Sequence, residues 1–250
     1  MWCDPLRFDE DVNPEDVVIE AAYLEVDEDV RAENASRLAF TQHFAPPASH
    51  PRLCEIGCMH GDYIEQANRS GYEAFGLDLS ETAVAWASEH RPGTVRLGTL
   101  GDDQDDASLD VIAAFNVIEH MPDPGDFLDH VHRVLRPGGV LVAETPAQES
   151  IYHHVLFARG HLLRSRPRLP VGMHPGTHIF KFGKAAWRNV LTRRGFRMLE
   201  VESRSTPLRE LLVKNRGQSL AFRTGIIGFG LLARATRLGN RVLFAAERRE

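Results

Sequence analysis

Leu53-Cys54-Glu55-Ile56-Gly57-Cys58-Met59-His60-Gly61-Asp62-Tyr63 joins an apolar strand, a turn with two glycines and the opening of a helix. Glycines in such a turn let the backbone approach a ligand closely, and a helix N-terminus offers unpaired N–H groups to an anion. Asp78 ends the next strand-like run, 21 residues after Gly57. An acid at that place can accept hydrogen bonds from both hydroxyls of a ribose diol. Together they point to an adenosine-containing ligand. The spacing is Glu55-x-Gly57-x-x-x-Gly61 rather than the G-x-G-x-x-G run that makes room for a pyrophosphate, which disfavours a dinucleotide.

Outward from this turn, apolar runs alternate with helical ones. Strands are expected at Arg52–Ile56, 73–77, 94–98, 109–116 and 140–144. Helices are expected at 61–69, at Glu81–His90 behind an N-cap at Ser80, and at 124–135. That rhythm means βαβ units and a parallel, doubly wound α/β sheet. Upstream, residues 1–47 form an acidic segment with helical periodicity around 30–44, stopped by Pro46-Pro47. Downstream, residues 147–182 carry five histidines (His153, His154, His161, His174 and His178) and no clean period. A connection of that length suits a lid or binding loop. A helix at 184–194, strands at 196–203 and 241–246, and an insertion at 207–239 between those strands complete the chain. The domain proper is therefore placed at 48–250.

The chain has 250 residues, 43% of them hydrophobic and 26% charged. Collagen-like, disordered and disulfide-scaffold classes are excluded. Three cysteines (Cys3, Cys54 and Cys58) favour a reducing compartment. The acidic start lacks a signal-peptide pattern and no apolar run suits a membrane span, so a cytoplasmic protein is expected. The net charge of -6 hides an asymmetry: residues 1–150 hold 9 basic and 30 acidic side chains, residues 151–250 hold 20 and 5. A basic half favours anionic groups or an anionic membrane surface, unless the halves simply neutralise each other.

Two further stretches, 109–124 (LDVIAAFNVIEHMPDP) and 133–141 (RVLRPGGVL), are more specific. With 53–61 and 75–80 they resemble the class I S-adenosylmethionine-dependent methyltransferases of the ubiquinone and natural-product type. The resemblance covers roughly residues 50–200 and rejoins at 241–246. It implies a Rossmann-like sheet of seven strands, order 3-2-1-4-5-7-6, with the last strand antiparallel. It implies S-adenosylmethionine as cofactor and methyl transfer to a small-molecule, glycosylated or lipid-linked acceptor, with oxygen as the leading choice. It also implies roles: Glu55 positions the cofactor's amino group through the turn's backbone, Gly57 and Gly61 line its methionine part, and Asp78 binds the ribose. Thr99 and Leu100 fall beside adenine, and Asn116 and Val117 beside the methionine end. Met59 replaces a glycine usual in the family. A nicotinamide-dependent oxidoreductase and a degenerate cofactor-binding protein are the rival readings.

Related ubiquinone enzymes place a Glu-x-x-Glu-His stretch on a divalent cation, but here its first acid is Asn116, a weaker ligand. No metal is expected: Glu119 and His120 are read as orienting the loop through hydrogen bonds, and Cys54 and Cys58 as packing. An alcohol acceptor must lose a proton, and histidine suits that task. His174 and His178, just before the helix at the sheet's ligand edge, are the candidate catalytic residues. Residues 218–237 bring Arg216, Arg223, Arg234 and Arg237 to one helix face beside a dense apolar run. That suits a helix lying on an anionic membrane, making the protein peripheral, or one that packs on the domain or on a second copy as a homodimer. No nucleic-acid partner is expected.

Overall fold

Seven strands make one sheet in the computed structural model, which describes residues 28–101, 104–148, 150, 182–206, 212, 217, 219–236 and 238–250. In chain order the elements are α1 (Glu28–Phe44), β1 (Arg52–Ile56), α2 (Asp62–Arg69), β2 (Glu73–Asp78), α3 (Glu81–His90), β3 (Val95–Leu97) and β4 (Leu109–Phe115). A 3-10 turn (Ile118–His120), α4 (Pro124–Val134), β5 (Leu135–Pro146), α5 (Lys184–Arg193), β6 (Phe196–Arg204), α6 (Leu220–Thr236) and β7 (Arg241–Arg248) follow. The order is β3-β2-β1-β4-β5-β7-β6, with β1 to β5 parallel and β7 antiparallel to both its neighbours. This is the expected doubly wound topology.

β4 is buried at every position, as a central strand covered on both faces must be. Val111, Ala113 and Phe115 join a core with Tyr63 and Ile64 of α2 and Phe40 of α1. Ile112 and Ala114 face the opposite core, built on Leu128, Trp187, Phe196 and Phe244. Ser80 caps α3 by accepting from Ala83 N, and Asp123 caps α4 from in front of Pro124.

The structure departs from expectation at element ends. β3 is shorter, and β4 stops at Phe115 because Asn116 turns left-handed (φ 56°). β5 begins at Leu135, not at 140: pairing with β4 slips in register between Leu109 and Val111, and the Arg136-Pro137-Gly138-Gly139 run is accommodated within the strand. Gly138 supplies the positive φ that this excursion needs. β7 runs to Arg248, and α5 ends at Arg193.

Both insertions spring from the C-terminal edge of the sheet. Ala147 bridges Phe182, so the chain leaves β5 and returns at one point. Ala147 N also donates to Asn240 O at 2.8 Å, which ties that point to the start of β7. Asn240 in turn accepts from Thr206 N (2.8 Å) and donates to Thr206 Oγ1 (2.7 Å), closing the root of the 207–239 insertion. Among the described residues no helix is long and apolar enough to cross a membrane.

Candidate functional site

The crevice outside the ends of β1, β2 and β4 is shaped by four left-handed residues: Gly57 (φ 67°), Met59 (φ 49°), Gly61 (φ 74°) and Asn116 (φ 56°). They turn the chain away from the sheet beyond β1 and β4, which are hydrogen-bonded neighbours. Gly57 is needed for packing as well as for φ: a Cβ there would collide with Val117 Cγ2. Likewise a Cβ on Gly61 would meet Val95 Cγ2 at 2.8 Å. The first turn of α2 then opens with buried Asp62, which accepts from Asn34 Nδ2 at 2.9 Å and so joins the crevice to α1.

Asp78 binds the turn together. Its Oδ2 accepts from Met59 N at 2.7 Å and its Oδ1 from Ser80 N at 2.9 Å. Each oxygen of a carboxylate keeps a further lone-pair direction, so the group can still receive a diol. Met59 takes a conformation that suits glycine, and its backbone N–H is what Asp78 fixes. Glu55 is buried at the end of β1, and burial pushes its carboxyl up to about 8, with Arg37 pulling it down and Asp62 and Asp78 adding to the rise. Its Oε2 has no hydrogen-bond partner among the described residues.

Beyond β3, Thr99 is exposed while Leu100 is buried in the core with Ile56 and Leu77. The pair expected beside adenine thus divides into one surface and one core residue. Leu79 and Leu97, both exposed, flank Asp78 at the ends of β2 and β3, where Asp78 and Leu97 are in register. Neither was singled out in the sequence, although an apolar residue directly after a strand-end acid is a readable signal. Asn116 is exposed, with its N–H bonded to Glu144 O at 2.7 Å, and Val117 is half-buried against Gly57.

One reading needs correction. Glu119 does not orient its loop through hydrogen bonds to other residues: it is 1% exposed, and among the described residues neither carboxyl oxygen has a partner beyond its own backbone. Burial lifts this carboxyl to about 7, with its own backbone N–H opposing the rise and Glu144 adding to it. Among the described residues no three His, Cys, Asp or Glu side chains gather as a metal would require. Cys54 and Cys58 are free and buried, and a Cβ on Gly76 would collide with Cys58 Sγ. Their thiols are pushed far up by burial, as packing groups rather than ligands. His174 and His178 lie outside the described residues.

On the β5–β7 side the floor is ionic. Arg37 of α1 donates to Glu144 Oε1 at 2.5 Å, and Arg241 donates to the same oxygen at 3.0 Å. Glu33 pairs with both arginines. Burial works to raise the Glu144 carboxyl, and Arg241 and Arg37 overcome it and hold the group below the ordinary range. The Arg37 guanidinium also lies over the Phe115 ring at 4.7 Å. This network was not foreseen, since its members stand far apart in the sequence.

Residues 26–201 match the methyltransferase-domain family. The chain belongs to that family, within the class I S-adenosylmethionine-dependent methyltransferases. A probable S-adenosylmethionine-dependent methyltransferase of Mycolicibacterium smegmatis is 38% identical over 96 residues, 38% of this chain and 37% of that one. A ubiquinone biosynthesis O-methyltransferase of Methylococcus capsulatus is 29% identical over 161 residues, 60% of this chain and 64% of that one. The matches thus span between about a third and two thirds of those relatives. Phosphoethanolamine N-methyltransferase 2 of Haemonchus contortus, solved with S-adenosyl-L-methionine, shares the fold at a TM-score of 0.58 and 19% identity, over 86% of this chain and 53% of that one. The nicotinamide reading is left without support.

Proposed function

We propose that the protein transfers the methyl group of S-adenosylmethionine to an oxygen of a small-molecule or glycosylated acceptor. The observation that carries this reading is Asp78, buried at the tip of β2 and clamped to the left-handed turn after β1, in a chain whose family uses that cofactor. The residues suit the cofactor. Asp78 has acceptor capacity to spare for a ribose, Leu79 and Leu97 offer an apolar rim to a base, and the acids Asp62 and Asp78 complement a cation.

When bound, the cofactor supplies a methyl group on a positively charged sulfur with a neutral thioether as leaving group. The chain's task is then alignment and proton management. Asn116 and Val117 line the methionine end, and Phe115 with Arg37 closes the crevice from the α1 side. The acceptor's hydroxyl proton has two destinations. Glu119, three residues beyond Asn116, has a carboxyl lifted to about 7 by burial, but it is 1% exposed and would take the proton only by relay. His174 and His178 are the others, on the insertion that leaves and re-enters at Ala147 and Phe182. Oxygen is favoured as the methylated atom by the O-methyltransferase relative, although a same-fold N-methyltransferase shows the scaffold serves nitrogen too.

Incubation with methyl-labelled S-adenosylmethionine and a panel of hydroxylated acceptors tests this. Label in an alkali-stable ether, with stoichiometric S-adenosylhomocysteine, is the expected result. Tight cofactor binding with no S-adenosylhomocysteine across the panel would favour the degenerate-binder reading. Glu119→Gln and the His174→Ala, His178→Ala pair separate the two proton routes. The variant that lowers turnover and abolishes its rise with pH, while leaving cofactor affinity intact, removes the base.

A further inference from the structure

We propose that α6 is a docking surface for an anionic lipid bilayer. Among its described side chains only Ala233 is buried. Leu220 is 79% exposed, Leu231 60% and Leu232 45%, and Ile227 is also exposed. On a helix turning about 100° per residue, Leu220, Ile227 and Leu231 fall in a stripe about 40° wide, and Ala233 lies about 140° from its centre. Among the described side chains of the helix, Ala233 is buried and Arg223 is half-buried with its Nε enclosed, while the stripe of Leu220, Ile227 and Leu231 is exposed.

The charge pattern chooses the occupant. Between Glu210 and Glu247 the chain has no acidic residue, and apart from Arg241, which is paired with Glu144, it carries Lys214, Arg216, Arg223, Arg234 and Arg237. Positions 223 and 234 stand about 40–60° to one side of the stripe. An apolar stripe edged with arginine suits the boundary between headgroups and acyl chains of an anionic leaflet. A second copy docking through the same face in a two-fold contact would set arginine against arginine. The helix cannot span, so the contact is peripheral.

The root of the insertion gives the contact a purpose. Thr206 and Ala147 are each hydrogen-bonded to Asn240 at the sheet edge, beside the root of the 147–182 insertion. The insertion that carries α6 thus starts beside the root of the 147–182 insertion, and a lipid-linked acceptor is the class that docking there would serve. Docking itself does not depend on methyl transfer and is measured without cofactor or acceptor.

Sedimentation of the full chain with phosphatidylglycerol–phosphatidylcholine vesicles, against pure phosphatidylcholine, is the test. Binding is expected only with the anionic vesicles, and it is lost as salt rises from about 0.1 to about 1 M and the screening length falls from about 10 to about 3 Å. Arg223→Gln with Arg234→Gln lowers partitioning about 30-fold. Leu220→Asn with Leu231→Asn lowers it at least about tenfold, and circular dichroism confirms that these exposed changes leave the fold intact. No binding at low salt, or binding indifferent to the leucine pair, overturns the proposal. So does a dimer by light scattering that the leucine pair abolishes, because the surface is then covered by a second copy.

Discussion

The two walls of the crevice are held by different means. On the β1–β2 side the main chain is clamped: Gly57 N bonds to Leu77 O, and Asp78 receives the N–H groups of Met59 and Ser80. On the β5–β7 side the same task falls to side chains, with Glu144 fully buried between Arg37 and Arg241 and with Glu33 beside them. The first wall depends on local backbone shape, on the missing side chains of Gly57 and Gly61 and on one carboxylate, Asp78. The second depends on four charges removed from water together, so losing one leaves another uncompensated.

That difference is broken most directly at Arg37. Arg37→Met strands a buried carboxylate with one partner, and the expected loss is about 3 kcal/mol or more by urea denaturation. Replacing Glu144 by Met in the same chain should restore part of it, since an apolar pair needs no compensation. If the single variant loses less than about 1 kcal/mol, the ionic wall is ornamental and the comparison collapses.

Asp78→Ala attacks the other wall. Two backbone donors lose their acceptor, and the proposed ribose contact goes with them. S-adenosylmethionine affinity measured by calorimetry should fall by about 1.5–3 kcal/mol, the usual worth of a hydrogen bond to a charged group. An unchanged dissociation constant would take Asp78 out of the site.

These walls also differ in how far they could be read in advance. The turn at 53–63 and the acid at 78 stand 21 positions apart from Gly57 to Asp78 within one βαβ unit, where local spacing and glycine dictate geometry. The doubly wound sheet followed from the alternation of elements, and its strand order from the resemblance alone. Arg37 and Glu144 are 107 residues apart, and Arg241 is 97 beyond Glu144. No periodicity pairs such residues, because only the closed sheet brings α1 over β5 and β7. Glu119 misled for a related reason: its type suggested a hydrogen-bonding role, but burial decides the role, and burial is a property of the fold. The bulge in β5 was missed because Pro-Gly-Gly reads as a turn, whereas here the strand pairing resumes beyond it.

The acids sharpen the contrast through pH. Glu144 is held low by Arg241 and Arg37 against its burial, so its stabilisation is present above the ordinary carboxylate range and is lost as pH falls through it. Glu55 and Glu119 are lifted by burial to about 8 and about 7, so the folded chain holds protons there that the unfolded chain releases. Stability therefore declines as pH rises from about 5 toward 8, by up to about 1.4 kcal/mol per unit for each group. Denaturation midpoints across that range should show the decline. Glu55→Gln with Glu119→Gln should flatten it, while Glu144→Gln should alter only the acid limb. A decline that survives the double variant would mean that other groups carry it.

The smallest effect tests whether the clamped wall is also strained. Met59 holds φ 49°, between left-handed Gly57 and Gly61. A side chain in that region costs about 1–2 kcal/mol relative to right-handed backbone. Met59→Gly removes that strain but gives the unfolded chain about 0.5–1 kcal/mol of extra freedom, and it gives up what the half-buried side chain contributes. A net gain below about 1 kcal/mol is expected, seen as a higher urea midpoint with an unchanged slope. Affinity for S-adenosylmethionine discriminates further. If the Met59 side chain points away from the crevice, glycine leaves the dissociation constant unaltered while stability rises. If it crowds the ligand, affinity improves by more than the change in stability. A loss of stability would show instead that Asp78 fixes the Met59 backbone well enough for the left-handed turn to carry no strain.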